Sequence, residues 1–132
     1  MTRGGCLCGG VRYEVSGPFT AMLLCHCQMC RRMHGTPFAS YAAVDPRHRR
    51  YTQGEELIRE YASSAAAVRS FCSRCGSKLE FRDSKAPNEI WIAAGSFDGD
   101  PGIRSSAHIF VASKAPWYEI ADDLPQYPEY PT

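Results

Sequence analysis

Short apolar or β-compatible runs, two of which alternate with polar residues, lie along most of the chain and predict β-strands. Residues 11–15 alternate and are followed by a turn, Ser16-Gly17-Pro18. Further strand-compatible runs are residues 21–24, 38–44, 56–61, 68–71, 78–81, 89–94 and 108–111. The small residues 62–67 predict a loop, and the turn-rich, Pro-rich stretch after Pro116 is expected to lie extended on the surface. The pattern predicts a mainly-β fold.

One short segment departs from this pattern and predicts a helix. Residues 28–34 (QMCRRMH) contain no Pro or Gly, and Gly35 follows directly. Glycine is the residue most often found just beyond a helix C-terminus, because it adopts the left-handed backbone conformation without strain. We therefore expect one short helix over residues 28–34.

Length and charge limit the possible classes of protein. The chain has 132 residues, which predicts a single domain over residues 1–132, since roughly 100–200 residues per domain is usual. Its net charge of +1 gives no electrostatic basis for binding nucleic acid or an anionic membrane. No apolar run approaches the ~20 residues that a membrane-spanning helix needs. We expect neither a membrane nor a nucleic acid as partner.

Cysteine spacing carries the strongest chemical signal in the chain. The seven cysteines fall into three tight groups: Cys6 and Cys8; Cys25, Cys27 and Cys30; Cys72 and Cys75. Thiolates are soft ligands, and zinc binds four donors in a tetrahedron. Seven divides into one closed site of four ligands, which would be structural, and one site of three, which keeps a position open for water or substrate.

Disulfide bonds are the alternative use of these cysteines. An odd number argues against a fully paired framework, and Cys6 could not pair with Cys8 without severe strain. The chain also runs into its first cysteine pair without an apolar stretch, so no secretory signal is expected. We therefore expect a reducing, cytoplasmic location and bound metal. Zinc is favoured over an iron–sulfur cluster because Gly76 follows the last Cys-x-x-Cys pair, as in zinc ribbons.

Three segments resemble the signatures of one protein family. They are residues 5–14 (GCLCGGVRYE); residues 25–32 (CHCQMCRR) followed by Gly35; and Tyr61, Ser63, Ser64 and Arg69 followed by residues 71–77 (FCSRCGS). This pattern is similar to that of the glutathione-dependent formaldehyde-activating enzyme family, which also includes centromere protein V. Residues 95–98, residues 108–109 and Trp117 follow the family's later pattern more loosely.

The resemblance implies a β-tent fold of short antiparallel strands with two zinc ions. By this resemblance the structural zinc is held by four ligands, Cys6, Cys8, Cys72 and Cys75. The catalytic zinc is held by the other three, Cys25, Cys27 and Cys30. Counting cysteines predicts the same division without saying which group is which. Spacing favours Cys25, Cys27 and Cys30 as the open site, because they lie within six residues of each other.

The resemblance further implies a carbon–sulfur lyase that acts on a small thiol, with glutathione as one possibility, or on its aldehyde adduct. Three thiolates exceed the charge of one zinc ion, and Arg31 and Arg32 are the predicted nearby cations and substrate contacts. We expect His26 to make hydrogen bonds beside the metal or to line the site wall. The alternatives are a non-catalytic zinc scaffold for a protein or nucleic-acid partner, and an enzyme with another substrate.

Overall fold

The computed structural model describes residues 1–131, and these form ten strands, one α-helix and several short 3₁₀ turns. The α-helix is α1 (Gln28–His34). The strands are β1 (Thr2–Gly5), β2 (Arg12–Val15), β3 (Ala21–Cys25), β4 (Ala39–Val44), β5 (Arg49–Gln53), β6 (Ile58–Ala62), β7 (Ala67–Cys72), β8 (Lys78–Asp83), β9 (Ile90–Ala93) and β10 (Ala107–Ile109). One sheet has the order β1-β2-β5, and the other has the order β10-β3-β4-β9-β8-β7-β6. The predicted mainly-β class with one short helix is confirmed.

The sequence pattern located most of these elements and missed two. Each predicted run contains a strand with bounds shifted by no more than two residues, and α1 has the predicted bounds. The missed strands are β1, whose sequence is TRGG, and β5, whose sequence is RRYTQ. Neither carries a regular apolar pattern, since one is rich in glycine and the other is mostly polar. Both form strands by pairing with β2.

One pair of strands is parallel, whereas the resemblance implied antiparallel strands in general. β10 runs parallel to β3, with Ile109 opposite Cys25. The other pairs are antiparallel and follow hairpins or longer returns, as between β7 and β8. Parallel neighbours need a long crossover connection, and the chain between Cys25 and Ala107 contains the rest of the large sheet.

The residues after Pro116 add a partner to the outer edge of β10. The amide of His108 donates to the carbonyl of Pro125 at 2.9 Å, and the amide of Tyr127 donates to the carbonyl of His108 at 2.9 Å. An exposed sheet edge would leave these backbone groups without protein partners. The end of the chain therefore lies extended, as predicted, but its backbone is tied to the sheet.

The apolar core is divided into clusters, and two of them contain cysteines. One surrounds Cys25 and Cys30 with Tyr41 and Ile109. Another places Cys6 and Cys72 with Val11 and Leu79. Within residues 1–131, no helix is long and apolar enough to cross a membrane.

Candidate metal centres

Four cysteines from the two halves of the chain meet beside the small sheet. Cys6 follows β1, Cys8 lies in the turn before β2, Cys72 ends β7 and Cys75 lies in the turn before β8. All four sulfur atoms lie within 4.8 Å of one another. The Cys6 and Cys8 sulfurs are 3.5 Å apart, and those of Cys8 and Cys72 are 3.9 Å apart.

These separations fit a tetrahedral zinc ion. Four sulfurs at about 2.3 Å from zinc lie about 3.8 Å from each other, far longer than the ~2.05 Å of a disulfide. All seven cysteines are unpaired thiols. The four-cysteine group therefore has the spacing of a closed zinc site, although Cys8 lies exposed at its rim.

Backbone amides point at the sulfurs of this group. The amide of Val11 donates to the Cys6 sulfur at 3.2 Å, and that of Gly10 donates to the Cys8 sulfur at 3.4 Å. Gly9 makes the turn possible with a φ of 76°, in the left-handed region that favours glycine. Hydrogen bonds from N–H groups to a thiolate are charge-assisted, so they stabilise the ionised form that a metal requires.

The other three cysteines converge where β3 enters α1. Cys25 is the last residue of β3, Cys27 is the N-cap of α1, and Cys30 lies in its first turn. The Cys27 sulfur accepts a hydrogen bond from the Cys30 amide at 3.3 Å, as N-cap side chains do. The three sulfurs lie within 4.8 Å of one another. The helix start thus sets the positions of two sulfurs, and the strand end sets the third.

This second group offers three ligands and no more among the residues described. No histidine or carboxylate joins the group. Hydrogen bonding with Cys25, and secondarily with Cys30, lowers the pKa of Cys27 to about 2. The same contact with Cys27 raises the pKa of Cys25, so one thiol of the three ionises first. Three sulfurs this close together are suited to a metal that keeps one position open.

The positive charge closest to this triad comes from Arg69, on β7. Its side chain is only 4% exposed, and its Nη1 donates to the Cys30 sulfur at 3.5 Å. Its Nε donates to the Ser63 hydroxyl at 3.1 Å, and its guanidinium lies 5.0 Å from the ring centre of Phe81. Burial lowers the pKa of Arg69, but the charge of Cys30 and the hydrogen bond to it outweigh this, and the pKa is raised.

Arg31 and Arg32 occupy different environments from each other. Arg31 is half-buried and donates from Nη1 to the carbonyl of Ser113 at 3.0 Å, whereas its Nε has no partner within the described chain. Arg32 is exposed on α1. No hydrogen bond joins either of them to a triad sulfur in residues 1–131, so their role as substrate contacts stays a prediction. The sequence points to Arg69 only through the family resemblance. No local pattern distinguishes a buried arginine on a strand from an exposed one.

His26 lies between two triad cysteines, and its ring contacts another histidine. Its Nε2 is 2.7 Å from Nδ1 of His108, and Nε2 of His108 is 2.9 Å from an oxygen of Asp122. Both histidines are fully buried, and burial is the main cause that lowers the pKa of His26 to about 4. His108 and Asp122 lie more than 80 residues away in sequence, so local spacing could not predict this chain of contacts.

A cavity of about 570 Å³ takes wall residues from both cysteine neighbourhoods. Cys6 belongs to the four-cysteine group, and the Ser77 hydroxyl lies 3.2 Å from the Cys75 sulfur. Ala39 belongs to the cluster around the triad. Lys78 and Arg12 also line it, and Arg12 is ion-paired with Asp98. Lys78 has no carboxylate partner in the described part of the chain, so it is the available cation of this wall.

Comparison with known proteins places the chain among relatives of one family. A family model described as "Glutathione-dependent formaldehyde-activating enzyme" matches residues 1–113. An uncharacterized lyase of Schizosaccharomyces pombe is 29% identical over 119 residues, covering 90% of this chain and 85% of the relative. A Halomonas elongata protein named "Putative glutathione-dependent formaldehyde-activating enzyme" is 28% identical over 127 residues, covering 91% and 81%. A crystal structure of a Rhodobacter sphaeroides protein superimposes with a TM-score of 0.63 at 27% identity, covering 74% of this chain and 89% of that one.

Proposed function

The chain belongs to the glutathione-dependent formaldehyde-activating enzyme family, and on this basis we propose that it is a carbon–sulfur lyase for a thiol–aldehyde adduct such as S-hydroxymethylglutathione. In the forming direction the thiol loses its proton, its sulfur bonds to the carbonyl carbon, and the carbonyl oxygen takes up a proton. Cleavage is the reverse. The observation that carries the proposal is the three-sulfur group of Cys25, Cys27 and Cys30. A tetrahedral metal held by these three sulfurs would have one position left for a substrate sulfur.

Two zinc ions are the cofactors we propose. Cys6, Cys8, Cys72 and Cys75 would hold one of them, with a structural role. Zinc bound by Cys25, Cys27 and Cys30 would supply a Lewis acid that favours the anionic form of a thiol sulfur near neutral pH. A cytoplasmic location is part of this proposal, because a reducing compartment keeps all seven thiols available.

The chain's own residues then position the reacting sulfur and offset its negative charge. Cys27 and Cys30 are fixed relative to each other by the helix cap, so their sulfurs are positioned before any substrate enters. Arg69 places a buried positive charge against the Cys30 sulfur. This charge offsets the negative charge that a fourth thiolate would add. Tyr41 and Ile109, both buried in the same cluster, limit the access of water to the triad.

Recognition of glutathione needs cations for its carboxylates. Arg31 and Arg32 are the contacts predicted from the sequence, and Lys78 is a third candidate because it lines the cavity between the two cysteine neighbourhoods. A charge-assisted contact of this kind contributes about 1.5–3 kcal/mol. Mercaptoethanol has no carboxylate, so it measures the thiol contribution alone.

The first test combines metal analysis with exchange spectroscopy. Purified, reduced protein should contain two zinc ions per chain, and zinc-loaded protein should accelerate exchange between ¹³C-formaldehyde and its glutathione adduct. Cys30→Ser should abolish the acceleration. A protein with two metals that does not accelerate exchange for any thiol would favour the non-catalytic scaffold. Acceleration with another thiol but not glutathione would keep the lyase and change the substrate.

A second test concerns the carboxylate contacts. In cobalt-loaded protein, glutathione should bind more tightly than mercaptoethanol. At least one of Arg31→Ala, Arg32→Ala and Lys78→Met should remove that preference, whereas Lys85→Met, at an exposed lysine outside the cavity, should keep it. Equal binding of the two thiols by the unmodified protein would contradict the glutathione assignment.

A further inference from the structure

The residue between Cys25 and Cys27 is anchored twice to the neighbouring strand β10. The amide of His26 donates to the carbonyl of Ile109 at 2.9 Å, and its ring contacts the ring of His108 through the 2.7 Å Nε2–Nδ1 contact. The His26 side chain is fully buried and packs against Phe38 and Tyr118, with ring centres 5.1 and 6.3 Å away. The backbone that carries two of the triad sulfurs therefore depends on contacts made by His26.

His108 is in turn held by the residues that follow the family-matched segment 1–113. Its Nε2 lies 2.9 and 3.1 Å from the two carboxylate oxygens of Asp122. Its backbone groups pair with Pro125 and Tyr127, and Tyr127 also packs against the triad cluster. The C-terminal segment is thus connected to the triad by a series of side-chain hydrogen bonds, from Asp122 to His108 and from His108 to His26.

The carboxylate sets the direction of these hydrogen bonds. An ionised Asp accepts and cannot donate, so Nε2–H of His108 donates to Asp122. With one proton on each ring, Nδ1 of His108 is then an acceptor, and Nε2–H of His26 donates to it. Nδ1 of His26 is left as a lone pair, and it has no hydrogen-bond partner within residues 1–131. Both rings are expected in a single tautomer with the proton on Nε2.

We propose that Asp122 is a positioning residue for the open cysteine site, acting through His108 on the ring of His26 and so on the segment between Cys25 and Cys27. The inference rests on the proposed function in one respect, that the triad binds a metal. Hydrogen bonds behind a metal's ligands orient those ligands, and their loss typically costs about 10- to 100-fold in metal affinity or activity. Among residues 1–131, no hydrogen bond joins the four-cysteine group to the side chains of Asp122, His108 or His26, so the metal affinity of that group should not change.

Histidine tautomers provide the first test, independent of activity. In ¹⁵N-labelled protein, long-range ¹H–¹⁵N correlation should show His26 and His108 each protonated on Nε2 and not on Nδ1. Asp122→Asn should keep this pattern, because its amide oxygen can accept the same hydrogen bond, whereas Asp122→Ala should lose it. Finding the His26 proton on Nδ1 in the unmodified protein would overturn the proposed direction and the role of Asp122.

Metal affinity provides the second test, with the other site as an internal reference. By chelator competition, Asp122→Ala should release the triad metal about 10- to 100-fold more readily and the four-cysteine metal as the unmodified protein does. Asp123→Ala is the matched control, since Asp123 is exposed and makes no side-chain hydrogen bond in the described residues. Unchanged triad affinity in Asp122→Ala would refute the positioning role alone. A triad that binds no metal in the unmodified protein would refute the proposed function as well.

Discussion

Replacement of Arg69 by methionine tests whether this buried cation controls thiolate binding at the triad. Methionine has a similar length, but it removes the charge, and with it the cation over the Phe81 ring and the donor to the Cys30 sulfur. Arg69→Lys keeps the charge and loses the planar fork that reaches Ser63 and Cys30 together. The pair of variants separates charge from geometry.

The expected effect can be worked out from this one contact. A hydrogen bond to a charged group contributes about 1.5–3 kcal/mol, and Arg69 is 4% exposed, so water can do little to replace it. At ~1.4 kcal/mol for each factor of ten, thiol affinity should fall about 10- to 140-fold. Glutathione and mercaptoethanol should lose affinity by the same factor, because Arg69 acts on the sulfur site and not on a carboxylate.

Cobalt-loaded protein provides the assay. The thiolate-to-cobalt absorption at the triad should change as thiol is added, while the signal of the closed four-cysteine site stays constant. Arg69→Lys should lie between the methionine variant and the unmodified protein. Thiol binding by Arg69→Met that equals that of the unmodified protein would refute the assignment of Arg69 as the compensating charge, and so would equal loss of metal from both sites.

Two further predictions concern stability. Cys75→Ser should lower the melting temperature and the metal content more than Cys30→Ser does. The four-cysteine group joins Cys8 to a residue 64 positions away, whereas the triad joins residues five apart. The free energies of closing these two loops differ by about 2 kcal/mol. Equal losses by calorimetry would contradict the division into structural and open sites. Arg49→Met should lower the free energy of unfolding by denaturant by about 3–5 kcal/mol, because it leaves the Glu80 carboxylate, whose side chain is 4% exposed, without its ion-pair partner. The side chain of Arg50 is 74% exposed, so Arg50→Met should lower it by only about 0–1 kcal/mol. Similar values for these two adjacent arginines would show that burial of the pair does not decide its contribution.

Local pattern was enough to predict most of the secondary structure and to mark the cysteines as candidate metal ligands. Apolar and β-compatible runs located the larger sheet's strands, and Gly35 marked the end of α1, where it has a φ of 64°. Close spacing predicted which neighbouring cysteines could share a metal, because two donors separated by one or two residues reach the same ion with little movement of the backbone. The family resemblance, not spacing, joined Cys6 and Cys8 to Cys72 and Cys75. The division into four and three needed only a count.

The sequence alone could not predict the contacts between residues on different strands. Arg69 reaches Cys30, and Asp122 reaches His26 through His108, only because β7 and β10 lie where the sheet order places them. Periodicity reports which face of a strand is apolar, but not which strand lies beside it. A buried arginine or histidine therefore has the same local pattern as an exposed one, and only the tertiary structure decided that these residues surround the triad.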